Sequence, residues 1–186
     1  MAIGELRCHV VDVEDLEVGL RFWSELTGIP PISSEWPERY AYLGYEDEFT
    51  WKHTLILHRV HTPKTVGTNR SHVDITVNDL DVAIGQIAAI GGRLKRAPSI
   101  YPRPHSYPGK PPIIDWAVLQ DPFGNEFCLV RVLLPAEAAA VALAGEAGTG
   151  DDDHWRDVSR RARGLTGPTP TYPIELRGEH HGHGHH

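Results

Sequence analysis

Apolar positions in this chain follow a period of two, then a period of three to four, and then repeat both patterns further along. From Glu5 to Val13 the residues alternate, with Cys8, Val10 and Asp12 on one face and His9, Val11 and Val13 on the other, which predicts a strand. Asp15 suits a helix N-cap, and Leu16, Leu20, Trp23 and Leu26 then form a helical stripe that stops at Gly28 and Pro30-Pro31. Arg39 to Leu43 and Thr50 to Val60 read as two further strands, and His61 to Asn69 reads as a linker.

The same order then returns. Arg70 to Val77 reads as a strand, Asp79 opens a helix through Leu80, Ala83, Ile84, Ile87 and Ala88, and Gly91-Gly92 ends it. Val13-Glu14-Asp15-Leu16 and Val77-Asn78-Asp79-Leu80 superpose at an offset of 64 residues, which also carries Cys8 onto His72 and Gly28 onto Gly92. An internal repeat means two copies of one supersecondary unit, and a site is expected between them. Arg93 to Ala97, Asp115 to Gln120 and Glu126 to Leu133 complete the second copy. Pro98 to Pro112, rich in proline and aromatic residues, is expected to be a long loop over a site.

Beyond Leu134 the pattern changes. Pro135 to Leu143 reads as an alanine-rich helix, Gly145 to Asp153 as a linker, His154 to Arg163 as a short helix, and the rest as extended and proline-broken. The domains expected are therefore residues 1–134, with repeats over 4–60 and 70–133, and an extension over 135–186. The final histidines, His180, His181, His183, His185 and His186, read as a weak site for a soft divalent ion, a disordered end or a purification tag.

Composition narrows the function. The formal charge of −7 and the lack of a basic face argue against nucleic acid as a partner, and the basic run Arg93 to Arg96, interrupted by Leu94, reads as a solvated strand edge. No apolar run is long enough to span a membrane and the start lacks a signal-peptide pattern. Two cysteines make no disulfide framework, so a cytoplasmic location is expected.

Arg70-Ser71-His72-Val73-Asp74, Val77-Asn78-Asp79-Leu80-Asp81, Gly91-Gly92 and Asp121-Pro122-Phe123-Gly124-Asn125-Glu126-Phe127-Cys128 together resemble the vicinal oxygen chelate superfamily, in its glyoxalase-like branch. The superfamily includes glyoxalase I, extradiol dioxygenases, methylmalonyl-CoA epimerase and the fosfomycin and bleomycin resistance proteins. The likeness covers roughly residues 5 to 133. It implies an α+β fold of tandem βαβββ modules whose strands form a curled, eight-stranded mixed sheet, or cup. It also implies a divalent metal (Zn, Mn, Ni or Fe) acting as a Lewis acid on a substrate with two neighbouring oxygens.

The family's ligand positions fall here on Cys8, on Ile56 or His58, on His72 and on Cys128. His72 is the usual ligand type. Cys8 and Cys128 would add soft thiolates, or else are small buried hydrophobes. His72 with Asp74 reads as an acid–base pair or as a packed polar pair, and Glu126 is a third catalytic candidate. Parity also places Asp12 and His58 in the cup; Trp36, Tyr40, Tyr42, Trp51, Tyr101, Tyr107 and Trp116 gather in or beside the strands and the long loop, and Tyr42, Trp51, Tyr101 and Trp116 suit its aromatic wall. Asp12 and Glu126 could equally be strand-end carboxylates in water. The expected function is a lyase, isomerase or dioxygenase acting on a small molecule. The alternative is a non-catalytic protein that sequesters an antibiotic or senses a ligand. The extension is expected to pack on the outside of the cup or on a second copy in a homodimer.

Overall fold

A computed structural model describes residues 2–27, 29–47, 50–62, 71–89, 91–104, 109–120, 126–146, 148 and 150–177, with the side chains of 22, 23, 25–27, 46, 47, 50–53 and 71 outside that description. The final-hairpin motif 121–125, the linker from residue 63, the middle of the proline-rich segment and the histidine tail lie outside the described residues. The chain divides into two compact units, Leu6–Ile75 and Thr76 onward, the latter also taking in Met1–Glu5.

The first unit contains β1 (Glu5–Val13), α1 (Leu16–Thr27), β2 (Pro31–Ile32), β3 (Tyr40–Asp47), β4 (Thr50–Arg59) and β5 (Ser71–Thr76). Its strand order is β2-β3-β4-β1-β5. β1 and β4 run parallel, while β2, β3 and β4 are antiparallel neighbours. The Asp15 carboxylate accepts a hydrogen bond from the Val18 N–H at 2.9 Å and so caps α1. The helix then lays Leu16 and Leu20 on Val11, Leu43, Leu55 and Leu57. Those apolar residues use one face of the sheet, so alternation sends Cys8, Asp12 and His58 to the other. The strand β5, read from the sequence as the opening of the second repeat, clusters with the first unit.

The second unit contains α2 (Leu80–Ala89), β6 (Arg93–Tyr101), β7 (Ile114–Gln120), β8 (Glu126–Val132), α3 (Pro135–Glu146), α4 (Asp152–Ala162) and a 3-10 turn at Ile174–Leu176. Its strands run in the order β8-β7-β6, all antiparallel. Asp79 caps α2 as Asp15 caps α1, accepting from the Val82 N–H at 3.0 Å. β6 continues through Pro98 to Tyr101, where the sequence pattern predicts a loop. The ladder slips between Arg96 and Ser99, so Pro98 falls where no regular donor is required.

The extension packs into this unit. Trp155 of α4, Val141 of α3, Leu133 and Ile100 form a buried cluster. Beside it, Arg131 donates to Glu137 at 2.6 and 3.0 Å, and the Glu137 carboxylate also accepts from Ser159 and from the Leu134 N–H. Arg156 bridges Asp115 and Asp81, and Tyr172 donates to Asp81 as well. Among the described residues no helix is long and apolar enough to cross a membrane.

Candidate functional site

On the first unit's open sheet face, cross-strand register decides which side chains meet. Asp12 of β1 lies directly opposite His58 of β4, and His58 opposite Tyr40 of β3; Val10 and Tyr42 both lie opposite Ile56. The contacts follow from that register. His58 Nδ1 is 3.0 Å from Asp12 Oδ1, and its ring stacks on Tyr40 with centroids 5.1 Å apart. Tyr42 is buried and stacks in turn on Tyr40 at 6.4 Å. With Nδ1–H directed at a carboxylate, Nε2 is left as the basic nitrogen. No partner for Nε2 is found among the described residues.

A second group lies at the other end of β1. Cys8 donates weakly to Asp74 Oδ2 at 3.7 Å, and His72 Nε2 stands 3.6 Å from Asp74 Oδ1. The Asp74 carboxylate therefore has a thiol on one oxygen and an imidazole near the other, and both carboxylate and imidazole are less than a fifth exposed. Burial pushes the Cys8 thiol far above its usual range, and the Asp74 charge adds to that push. The thiol is thus protonated at neutral pH unless a cation draws off its proton.

These donors suit a divalent ion. Two ligand atoms about 2.0–2.3 Å from one tetrahedral centre stand about 3.3–3.7 Å apart. The His72–Asp74 spacing of 3.6 Å lies within that interval, whereas Cys8 stands 3.7 Å from Asp74 but does not close on both groups. Imidazole and carboxylate together suit zinc, iron or manganese. Bound there, the ion would draw on His72 and Asp74.

The remaining candidates belong to the second unit or fall outside the description. Cys128 is buried with Val118 and Val130, against Ile114 and Trp116. Glu126 is half exposed and ion-paired with Lys95. Tyr101 lies opposite Ile114, on the face of Trp116. The Trp51 backbone pairs with Glu46, and its side chain is among those not described. Two side chains of consequence were not singled out from the sequence. Tyr40 appeared only among the gathered aromatics, and Arg96, which lies over the Trp116 ring at 4.6 Å, read as part of a solvated basic run. An aromatic at the position facing His58 was the only available signal for the first, and the second carried none.

A family model for a glyoxalase-like domain matches residues 8–130. The structure is similar to methylmalonyl-CoA epimerase from Mycobacterium tuberculosis (17% identity, TM-score 0.50, 75% of this chain and 95% of that one). Lower likenesses are to the Mn(II)-bound glyoxalase from Novosphingobium aromaticivorans (16% identity, TM-score 0.45, 69% of this chain and 39% of that one) and to a Streptomyces coelicolor methylmalonyl-CoA epimerase in complex with 2-nitronate-propionyl-CoA (18% identity, TM-score 0.46, 70% and 98%). The chain thus spans 39% of the Novosphingobium glyoxalase. At such identities the likeness is one of fold. No curated protein sequence matches the chain.

Proposed function

Because the chain belongs to the glyoxalase-like domain family of the vicinal oxygen chelate superfamily, we propose that it acts on a small molecule held against the polar sheet face of the first unit, with His72 and Asp74 at the reacting end. The observation that carries this reading is the presence of two histidine–carboxylate pairs, His72 with Asp74 and His58 with Asp12, in one compact unit. A divalent ion there would supply Lewis acidity toward neighbouring substrate oxygens. In this reading Asp74 fixes the His72 ring and lowers the cost of positive charge beside it. Cys128 enters as a further donor on the family pattern, and Glu126 as a catalytic group.

Distance divides the roles of the two pairs. Asp12 and Cys8 are four residues apart on β1, which is about 13 Å at 3.3 Å per residue. His58 is therefore too far to move a proton at an atom held by His72. Its Nε2 and the stacked Tyr40 and Tyr42 rings instead receive the far, planar end of the ligand. The reaction class is a proton-transfer lyase or isomerase, or a ring-opening dioxygenase if the ion is ferrous iron.

Cys8 favours a second reading. A thiol held protonated by burial is a poor ready-made ligand. A protein that binds a small molecule without turnover, to sequester an antibiotic or sense a ligand, needs no more than this. The two readings separate on His72→Ala, assayed after truncation past Arg177 to remove the histidine tail. The enzyme reading expects loss of bound metal and of turnover. The binding reading expects only weaker, saturable ligand stabilisation. If the purified protein holds no metal and no activity is restored by zinc, manganese, nickel or ferrous ion, the metal-dependent enzyme is excluded.

A further inference from the structure

We propose that Arg96, laid on the face of Trp116, is a recognition site for the carboxylate of a small organic acid. The site belongs to the second unit and is argued from that unit's own residues. Among the described residues of the second unit, five other arginines are buried or half-buried: Arg103, Arg131, Arg156, Arg160 and Arg163. Each has a carboxylate within 3.3 Å. Arg96 is the exception. It has no ion pair or hydrogen bond among the described residues, and its Nε is buried without a partner.

The site is built rather than incidental. The β6 ladder slips on both sides of Arg96, between Leu94 and Arg96 and between Arg96 and Ser99, and such irregularities re-aim a side chain. The guanidinium carbon then sits 4.6 Å from the Trp116 ring centroid, which fixes one face of the group. Arg96 lies opposite Val118 in the register, on the side where Trp116, Cys128 and Val130 pack. Burial disfavours its charge, with the Arg103 charge adding to that effect and Asp152 opposing it. Asp152 offsets part of this charge but is hydrogen-bonded to Arg103, so Arg96, short of water, gains from an anion that arrives with the ligand.

The geometry selects the anion. A guanidinium stacked on one face presents its edge, a planar fork that matches a carboxylate. The neighbouring cations are already engaged, Lys95 with Glu126 and Arg103 with Asp152. One uncompensated charge suits a monoanion better than a phosphate dianion.

The test uses the full chain with acetate, pyruvate, benzoate and phenylacetate, each beside its primary amide, and phenylphosphonate as the phosphate-type arm. Binding is read by ligand-observed NMR and by thermal shift. At least one carboxylate should bind saturably while its amide does not, and Arg96→Met should weaken it about tenfold to a hundredfold. Arg96→Lys keeps the stem and the charge but loses the fork. It should retain the melting temperature and still bind more weakly than wild type, which separates recognition from misfolding. Preference for the phosphonate, equal binding of acids and amides, or binding unchanged in both variants overturns the carboxylate site while the small-molecule reading stands. If no acid in the set binds, the proposal also fails. Metal uptake by wild type and His72→Ala judges the broader reading separately.

Discussion

Glu137 offers a sharp test of how the extension is held. Its carboxylate is fully buried and accepts two hydrogen bonds from Arg131, one from Ser159 at 2.7 Å and one from the Leu134 N–H at 2.7 Å. Arg163 Nε adds a charge at 3.2 Å. The bond to Leu134 is half of a capping box, with Pro135 at the first helical position and Glu137 at the third. Glu137→Ala removes every one of these and leaves Arg131 buried without its counter-charge. Breaking a buried pair from one side costs about 3–5 kcal/mol. For a chain of this size that lowers the melting temperature by about 6–20 °C. Replacing both partners, as in Arg131→Met with Glu137→Leu, should recover part of the loss, because Arg131 is no longer stranded although Arg163 loses its counter-charge. The pH dependence has a definite sign. Burial alone would raise the Glu137 carboxyl, but the hydrogen bonds from Arg131, Leu134 and Ser159 outweigh it and hold the group below its ordinary value. The stability it contributes is therefore present at neutral pH and lost as pH falls below about 4.5, and Glu137→Gln should flatten that acid limb. Calorimetry that finds less than about 1 kcal/mol lost in Glu137→Ala would refute the clamp.

Three further outcomes are expected. A Cβ on Gly145 would stand 1.9 Å from Pro104 Cβ, so Gly145→Ala should destabilise by about 1–3 kcal/mol in chemical denaturation. Gly85, within α2, has nothing within 4 Å of an added Cβ, so Gly85→Ala should stabilise by about 0.5–1 kcal/mol, and an unchanged or lower midpoint would count against that placement. Cys8, buried and shifted upward by burial and Asp74, should react with iodoacetamide at pH 7.5 far more slowly than a free thiol, as followed by intact-mass spectrometry.

Much of this was legible locally. Asp15 and Asp79 announced their helices, and both cap them. Strand parity in β1 separated Val11, which packs beneath α1, from Cys8 and Asp12 on the opposite face. The hydrogen bond between Asp12 and His58 was beyond reach, because it depends on the parallel register of strands 46 residues apart. The end of β6 was misread because Pro98 is a strong local stop, and only the ladder's slip makes it tolerable in a strand. Arg96 read as part of a solvated basic run for the same reason, since nothing local says that Trp116 will lie beneath it. The polar residues of α4 gave no apolar stripe to read, yet Arg156 and Ser159 are buried by ion pairs and hydrogen bonds rather than by hydrophobicity.

The most direct test of the proposed centre is zinc titration by calorimetry into the chain truncated after Arg177, comparing wild type with His72→Ala, Asp74→Asn and Glu126→Gln. One ion per chain is expected in wild type and in Glu126→Gln, with affinity lost in the other two variants. No uptake by wild type, or uptake that His72→Ala leaves unchanged, would contradict a metal held by His72 and Asp74.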